Sequence, residues 1–216
     1  FNNIVRFNRK FNRRHRVNAM VGLTYDVRNV ENSIYAVEDF LTMQFTTNQP
    51  AFGNVVTRPL TYIKADQQIF SMLGRVNYTF DNKYILTATI RRDGVSKFAE
   101  SNRYGVFPSL AFAWNAGNER FIQNLDIFES LKFRAGWGQI GNHGIGPYGS
   151  LSNYGVSSLY GNADGGTNVP IALQNLSNPD LTWETTEQTN FGVDFTTLNG
   201  VISGNIDVYD KLTKDL

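Results

Sequence analysis

Cysteine is missing from this chain of 216 residues, and histidine nearly so, with two in all. Without thiols there is no disulfide staple and no thiolate metal centre. Imidazoles as far apart in sequence as His15 and His143 make a poor zinc site, so neither a metal nor another cofactor is expected. Long apolar runs are also missing: nothing approaches the ~18 residues that a membrane-spanning helix needs. The opening FNNIVRFNRK lacks the basic-then-apolar plan and cleavage site of a secretory leader. Net charge is scarce. Twenty Lys and Arg against 19 Asp and Glu leave +1, which gives no case for nucleic acid as a partner.

What is present is a high aromatic share, 13%, with 19 glycines and only 18% charged residues. The mean hydropathy of -0.31 does not suggest a membrane protein. A transmembrane barrel escapes that test, because half of each strand faces a wet lumen.

Alternation is the dominant pattern, and it is clearest from Ser71 to Asn115. Successive strand side chains point to opposite sides. Met72, Gly74, Val76, Tyr78 and Phe80 therefore oppose Ser71, Arg75, Asn77 and Thr79, with Leu73 the exception. Tyr84, Leu86, Ala88 and Ile90 oppose Thr87, Thr89 and Arg91, with Ile85 out of step. Leu110, Phe112 and Trp114 oppose Ser109, Ala111 and Ala113. Phe80 and Tyr84 bracket the Asp81-Asn82-Lys83 turn, which sets aromatic rings at the end of the apolar band, as at a membrane interface.

The same plan recurs along the chain. A weaker strand is expected over residues 1–12, followed by a basic turn (Arg9, Lys10, Arg13, Arg14, His15, Arg16) and a clear strand from Arg16 to Arg28. That turn reads as a solvated loop or as a contact for phosphate groups. From Asn29 to Ile69 the alternation dissolves. Ser33 to Leu41 suggests two helical turns capped by Ser33, and Pro50, Gly53 and Pro59 suggest loop. Loops are expected at 93–103, at 116–130 with one helical turn near Glu119, and at 139–182. Strands return from Leu131 to Gly138, from Trp183 to Thr197 and after the Leu198-Asn199-Gly200 turn.

About eight strands result, each near the ~9–11 residues that cross a bilayer at a tilt. Short and long connections alternate, as in a barrel with short periplasmic turns and longer outer loops. Loops 29–70, 93–103 and 139–182 then lie outside, and 81–83, 116–130 and 197–200 inside. The predicted class is all-β: an antiparallel up-and-down transmembrane β-barrel segment, open at both edges. Arg75, Arg91, Arg134, Asp194 and Asp207 become lumen-facing polar residues. Tyr84, Leu86, Phe112, Trp114, Phe133, Phe191 and Phe195 become lipid-facing. Alternation alone also fits a soluble β-sandwich whose apolar face packs inward. That architecture would make a carbohydrate-binding module. Both ends look cut: the first residues already alternate, and nothing closes the chain after Lys214.

Catalytic patterns are weak. Gly136-Trp137-Gly138-Gln139-Ile140-Gly141 fits a dinucleotide fingerprint in letters, but Asn142-His143-Gly144-Ile145-Gly146-Pro147 cannot be the helix it requires. Glu184 and Glu187 fall on opposite strand faces and cannot flank one glycosidic bond. With His143 in a loop, no Ser-His-Asp arrangement can be argued. No enzyme is expected. In the longest loop, Tyr148-Gly149, Tyr154-Gly155 and Tyr160-Gly161 place flat rings beside glycines. Tyr148, Tyr154 and Tyr160 are the candidate substrate contacts, able to stack on sugars or a peptide. The alternative is that they pack the loop on itself.

The run RVNYTFDNKYILTATIRRDGVSKF, then NRYGVFPSLAFAW, LKFRAGWGQIGN, NPDLTWETTEQTNFGVDF and YDKLTKDL resembles SusC/RagA-like TonB-dependent transporters of the Bacteroidota. The likeness covers residues 71–216; residues 1–70 carry no comparable motif. It implies an outer-membrane barrel of roughly 22 strands with a plugged lumen, of which this chain would be a part. The expected domain content is a partial TonB-dependent receptor barrel over 1–216, with plug domain, TonB box and signal peptide lying elsewhere. The resemblance also implies import of large nutrients, glycan oligosaccharides or peptides. The implied partners are a SusD-like surface lipoprotein, TonB and outer-membrane lipid.

Overall fold

The structure, a computed structural model, describes residues 1–40, 42, 50–146, 148–156, 160–161, 167–168 and 171–215. It falls into two compact units: Phe1–Asp26 with Gln68–Leu216, and Val27–Gln67.

The first unit is one antiparallel sheet. Its strands are β1 (Asn2–Phe11), β2 (from His15), β3 (to Phe80), β4 (Tyr84–Val95), β5 (Tyr104–Trp114), β6 (Phe128–Asn142), β11 (Glu184–Thr197) and β12 (Ile202–Lys214). They lie in that order across the sheet, each beside its neighbour in sequence except for the step from β6 to β11. Four short strands fill that step: β7 (Asn153–Val156) pairs with β10 (Ile171–Asn175), and β8 (Tyr160–Gly161) with β9 (Thr167–Asn168).

The sheet turns tightly at one end. Asn12 and Arg13, Asp81 and Asn82, and Leu198 and Asn199 all hold positive φ between 44° and 55°, followed in the last turn by Gly200 at 82°. Asn and Asp tolerate that left-handed region better than other side chains, which is why these dipeptides close short hairpins. The β5–β6 connection lies at the same end, with a helical turn α1 (Arg120–Gln123) as expected. Asn115 and Asn118 each donate through Nδ2 to the Asn82 carbonyl, at 2.8 and 3.0 Å.

The second unit holds the remaining parts of β2 (His15–Phe40) and β3 (Gly53–Phe80), with a 3-10 turn at Pro50–Phe52. This corrects the expected loop over residues 29–40 and 53–69; its residues 41 and 43–49 lie outside the described part. It also overturns the helical turns from Ser33; Leu41, at their end, lies outside the described residues. The sequence there is rich in Val, Ile, Thr and Tyr, which favour a pleated strand over a helix. Pro59 sits inside β3 without ending it.

Register shows how the faces sort in the first unit. Phe80 pairs with Tyr84, Tyr84 with Trp114 and Trp114 with Phe133, while Leu86 pairs with Phe112, Phe112 with Ala135 and Ala135 with Phe191. The apolar residues therefore share one face from β3 to β12. That face is open: Phe112, Phe133 and Phe191 are 44, 39 and 61% exposed. A sandwich would bury them, so the single sheet removes the soluble β-sandwich reading.

Burial concentrates instead on the other face, at the long-loop end. Val95, Phe98, Phe107 and Trp183 form a small core with Ile69, Ile145 and Leu181 against it. The Phe107 ring lies across the backbones of β5 and β6, where a Cβ on Gly105 or Gly141 would overlap it. Trp183, just before β11, meets Phe107 edge-on at 5.3 Å. The ring has nowhere to go. Gly141→Ala is therefore expected to cost about 1–3 kcal/mol by overpacking, seen as a lower midpoint in urea-induced loss of the heat-modifiable gel band.

Candidate functional site

The polar face carries every lumen candidate. Arg75 pairs with Thr89, Arg91 with Phe107, Arg134 with Gly192 and Gly192 with Asp207; Asp194 is one strand period from Gly192. All five therefore share one side of the sheet. Arg134 joins the two aspartates: Nη2 lies 2.7 Å from Asp194 and 3.0 Å from Asp207, and Nε donates to Asp194 at 2.9 Å. The cation thus neutralises a carboxylate pair that would otherwise repel. Asn205 donates a further bond to Asp207 at 2.9 Å. Higher on this face, Arg91 binds Asp93 at 2.7 Å, and Arg75 donates to Thr89 at 3.2 Å. The part-exposed Arg134 cluster orders the face more than it stabilises it, while Asp93 is buried under an exposed Arg91.

Small side chains at Ser109, Ala111, Gly136 and Gly138 keep the middle of this face low. The result is a hollow of about 830 Å³, flanked by Arg75, Arg91, Gln188 and Lys211. Its lining is mixed: Thr87, Thr89, Gln139, Asn190 and the cations alternate with Ile69, Leu73, Phe107 and Trp183, while the backbone groups beneath are already used in the ladders. Glu184 and Glu187 pair with Asn142 and Gln139 and so fall on opposite faces. His143 packs edge-on to Trp183 at 5.7 Å. Among the described residues no cluster of three or more potential ligands could hold a metal.

The apolar face ends in a chain of rings at the tight-turn end. His15 lies 5.0 Å from Phe80, Phe80 6.3 Å from Tyr84, Tyr84 6.5 Å from Trp114 and Trp114 5.6 Å from Phe133. The sequence suggests the Phe80–Tyr84 pair; the five-membered chain comes from register. Glu119, at the start of α1, accepts from Lys83 Nζ at 2.7 Å and from the Tyr84 hydroxyl at 2.8 Å. Those bonds, Lys83 first, hold its carboxyl below the ordinary carboxylate range. Sequence reading missed this residue, since nothing local links position 119 to the turn at 83.

The loop-end staples were missed for the same reason. Lys97 donates to the Ile145 carbonyl at 2.8 Å, Ser150 to the Lys97 carbonyl at 2.9 Å, and Trp183 Nε1 to the Arg103 carbonyl at 3.3 Å. They bind the 96–103 loop to both ends of the long loop. Of the candidate tyrosines, Tyr148 sits at a turn with φ of 58°, and Tyr154 stands on β7 opposite Leu173. Both are exposed, at 42 and 71%. Tyr160 belongs to β8 by its backbone, and its side chain lies outside the described part.

A single meander with an open apolar face and a charged, hollowed face is part of the wall of an antiparallel β-barrel. The family model "TonB dependent receptor-like, beta-barrel" matches residues 1–216, and the chain belongs to that family. TonB-dependent receptors P3 and P26 of Formosa agariphila are 32 and 33% identical over 99% of this chain and 21% of their own length. TonB-dependent receptor SusC of Bacteroides thetaiotaomicron is 40% identical over 68% of this chain and 15% of its own. The solved RagAB peptide transporter superposes at a TM-score of 0.86 and 24% identity, covering 100% of this chain and 23% of that one. The chain thus spans about a fifth of the length of its first curated relatives. The family is one of receptors and transporters, not of enzymes.

The Glu119 carboxyl titrates below its unfolded value, so its contribution is complete above the ordinary carboxylate range and vanishes as pH falls through the folded value. Glu119→Gln should lower the thermal midpoint near neutral pH, with the gap to wild type closing in acid.

Proposed function

We propose that this chain is a wall segment of an outer-membrane TonB-dependent importer of large nutrients, either glycan oligosaccharides or peptides. In the longer parent it works with a SusD-like surface lipoprotein and with TonB. The carrying observation is the pairing of an open apolar face with a charged face on one meander, since only lipid satisfies the first and only water or cargo the second. Family membership, the likeness to SusC and the fold shared with a peptide transporter support the reading.

On this reading Tyr84, Leu86, Phe112, Trp114, Phe133, Phe191 and Phe195 face lipid. Arg75, Arg91, Arg134, Asp194 and Asp207 line the passage, and residues 1–216 form part of a larger barrel. Tight turns lie on the periplasmic side and the Trp183-anchored loops outside, where Tyr148, Tyr154 and Tyr160 present rings to cargo. The physical work of this segment is passive: it holds a wall in lipid and offers polar groups to what passes.

Phe112→Arg in the full-length parent should cost roughly 2–4 kcal/mol if residue 112 lies near the bilayer midplane. The measurement is folding into vesicles under urea; a negligible cost would argue against lipid contact. Replacing Tyr148, Tyr154 and Tyr160 together by Ala should weaken cargo capture several-fold, an order expected for lost aromatic contacts. Barrel assembly should stay intact. Unchanged affinity would reduce these rings to loop packing.

A further inference from the structure

The importer reading leaves one motif unused: the basic turn between β1 and β2. Its cations divide by strand parity. Lys10 and Arg16 pair across the ladder on the polar face, whereas Arg9 pairs with Val17 on the apolar face. The Arg9 guanidinium lies over the Phe11 ring, 5.1 Å from its centre. Phe11 pairs with His15, whose Nδ1 shares a hydrogen bond of 2.7 Å with the Tyr78 hydroxyl. His15 is also the first ring of the aromatic chain that runs on to Phe133.

Arg13 and Arg14 complete the cluster at the exposed tip, where Asn12 and Arg13 hold φ of 44° and 55°. Arg9 thus stands on the open apolar face beside its terminal rings, and Arg13 and Arg14 lie on the adjoining turn. Their charge is barely offset. Among the described residues Arg14 reaches Asp81 at 4.0 Å, with both side chains well exposed, and neither Arg9 nor Arg13 has an ion-pair partner. The neighbouring turn differs, since Lys83 there is matched by Glu119.

Aromatic rings at the edge of a lipid-facing band mark headgroup depth. Arginine at that depth offers a planar fork to phosphate oxygens. A zwitterionic headgroup brings its own cation, so uncompensated guanidiniums favour a lipid of net negative charge. We propose that Arg9, Arg13 and Arg14 form a docking site for the headgroup phosphate of an anionic phospholipid, in the leaflet at the tight-turn end. This inference rests on the membrane-wall reading above.

The test uses the full-length protein in detergent, titrated with dioleoyl phosphatidylglycerol or dioleoyl phosphatidylcholine, with bound lipids counted by native mass spectrometry. Wild type should favour phosphatidylglycerol by at least about fivefold, the scale of one interfacial charge. The variant R9Q/R13Q/R14Q should lose that preference while keeping its heat-modifiable gel shift. R13Q alone, at the exposed tip, should weaken the preference in the same direction if the triple variant fails to assemble. Millimolar inorganic phosphate should not displace the lipid. Equal affinity for the two lipids, a preference that survives the Gln substitutions, or displacement by inorganic phosphate would overturn the proposal. A parent that stays out of membranes would instead defeat the wall reading. A membrane-embedded parent without headgroup preference defeats this proposal alone.

Discussion

Everything in this chain depends on strand parity within one antiparallel layer. Each ladder uses the backbone hydrogen bonds and sends alternate side chains to opposite sides. In the first unit these strands form one sheet, and Phe112, Phe133 and Phe191 on its apolar side stay exposed. The apolar side must then find its own apolar medium, because so many exposed rings and branched chains in water would favour aggregation. On the proposed reading, lipid is that medium. The polar side carries Arg134 between Asp194 and Asp207, an arrangement that needs water or polar cargo in front of it.

The two ends of the sheet solve different problems. At the tight-turn end, Asn115, Asn118 and Glu119 tie the β5–β6 connection to the turn at Asn82 and Lys83, so adjacent hairpins hold one another. The ring chain from His15 to Phe133 runs along the same rim. At the loop end, Trp183 and Phe107 anchor the long insertion between β6 and β11 to the polar face through a buried apolar cluster. Glycines at 105 and 141 make room for that ring. Loop placement is thus built into the wall, while Tyr154, on the β7–β10 pair, stays exposed.

Much of this was legible in the sequence wherever the information is local. Alternation from Met72 to Trp114 names the faces without coordinates, and Asp81-Asn82 announces its turn. Parity also placed Arg75, Arg91, Arg134, Asp194 and Asp207 together, because register only has to preserve odd and even positions. What failed was either interrupted or distant. Pro50, Gly53 and Pro59 disguised the long β2 and β3 arms, although β-branched residues surround them. Glu119 on Lys83, and Trp183 on Arg103, join positions whose neighbourhoods carry no mark of each other. The short strands between Asn153 and Asn175 are too brief for periodicity to reveal.

The central claim is that odd and even positions of β11 look into different media. The chain has no cysteine of its own, so a spin label can be placed at 190 or at 191 without a competitor within it. In the full-length parent, reconstituted in bilayers, the label at 191 should relax with lipid-soluble oxygen and the label at 190 with a water-soluble nickel chelate. Equal accessibility at the two sites, or a water-exposed 191, would contradict the account.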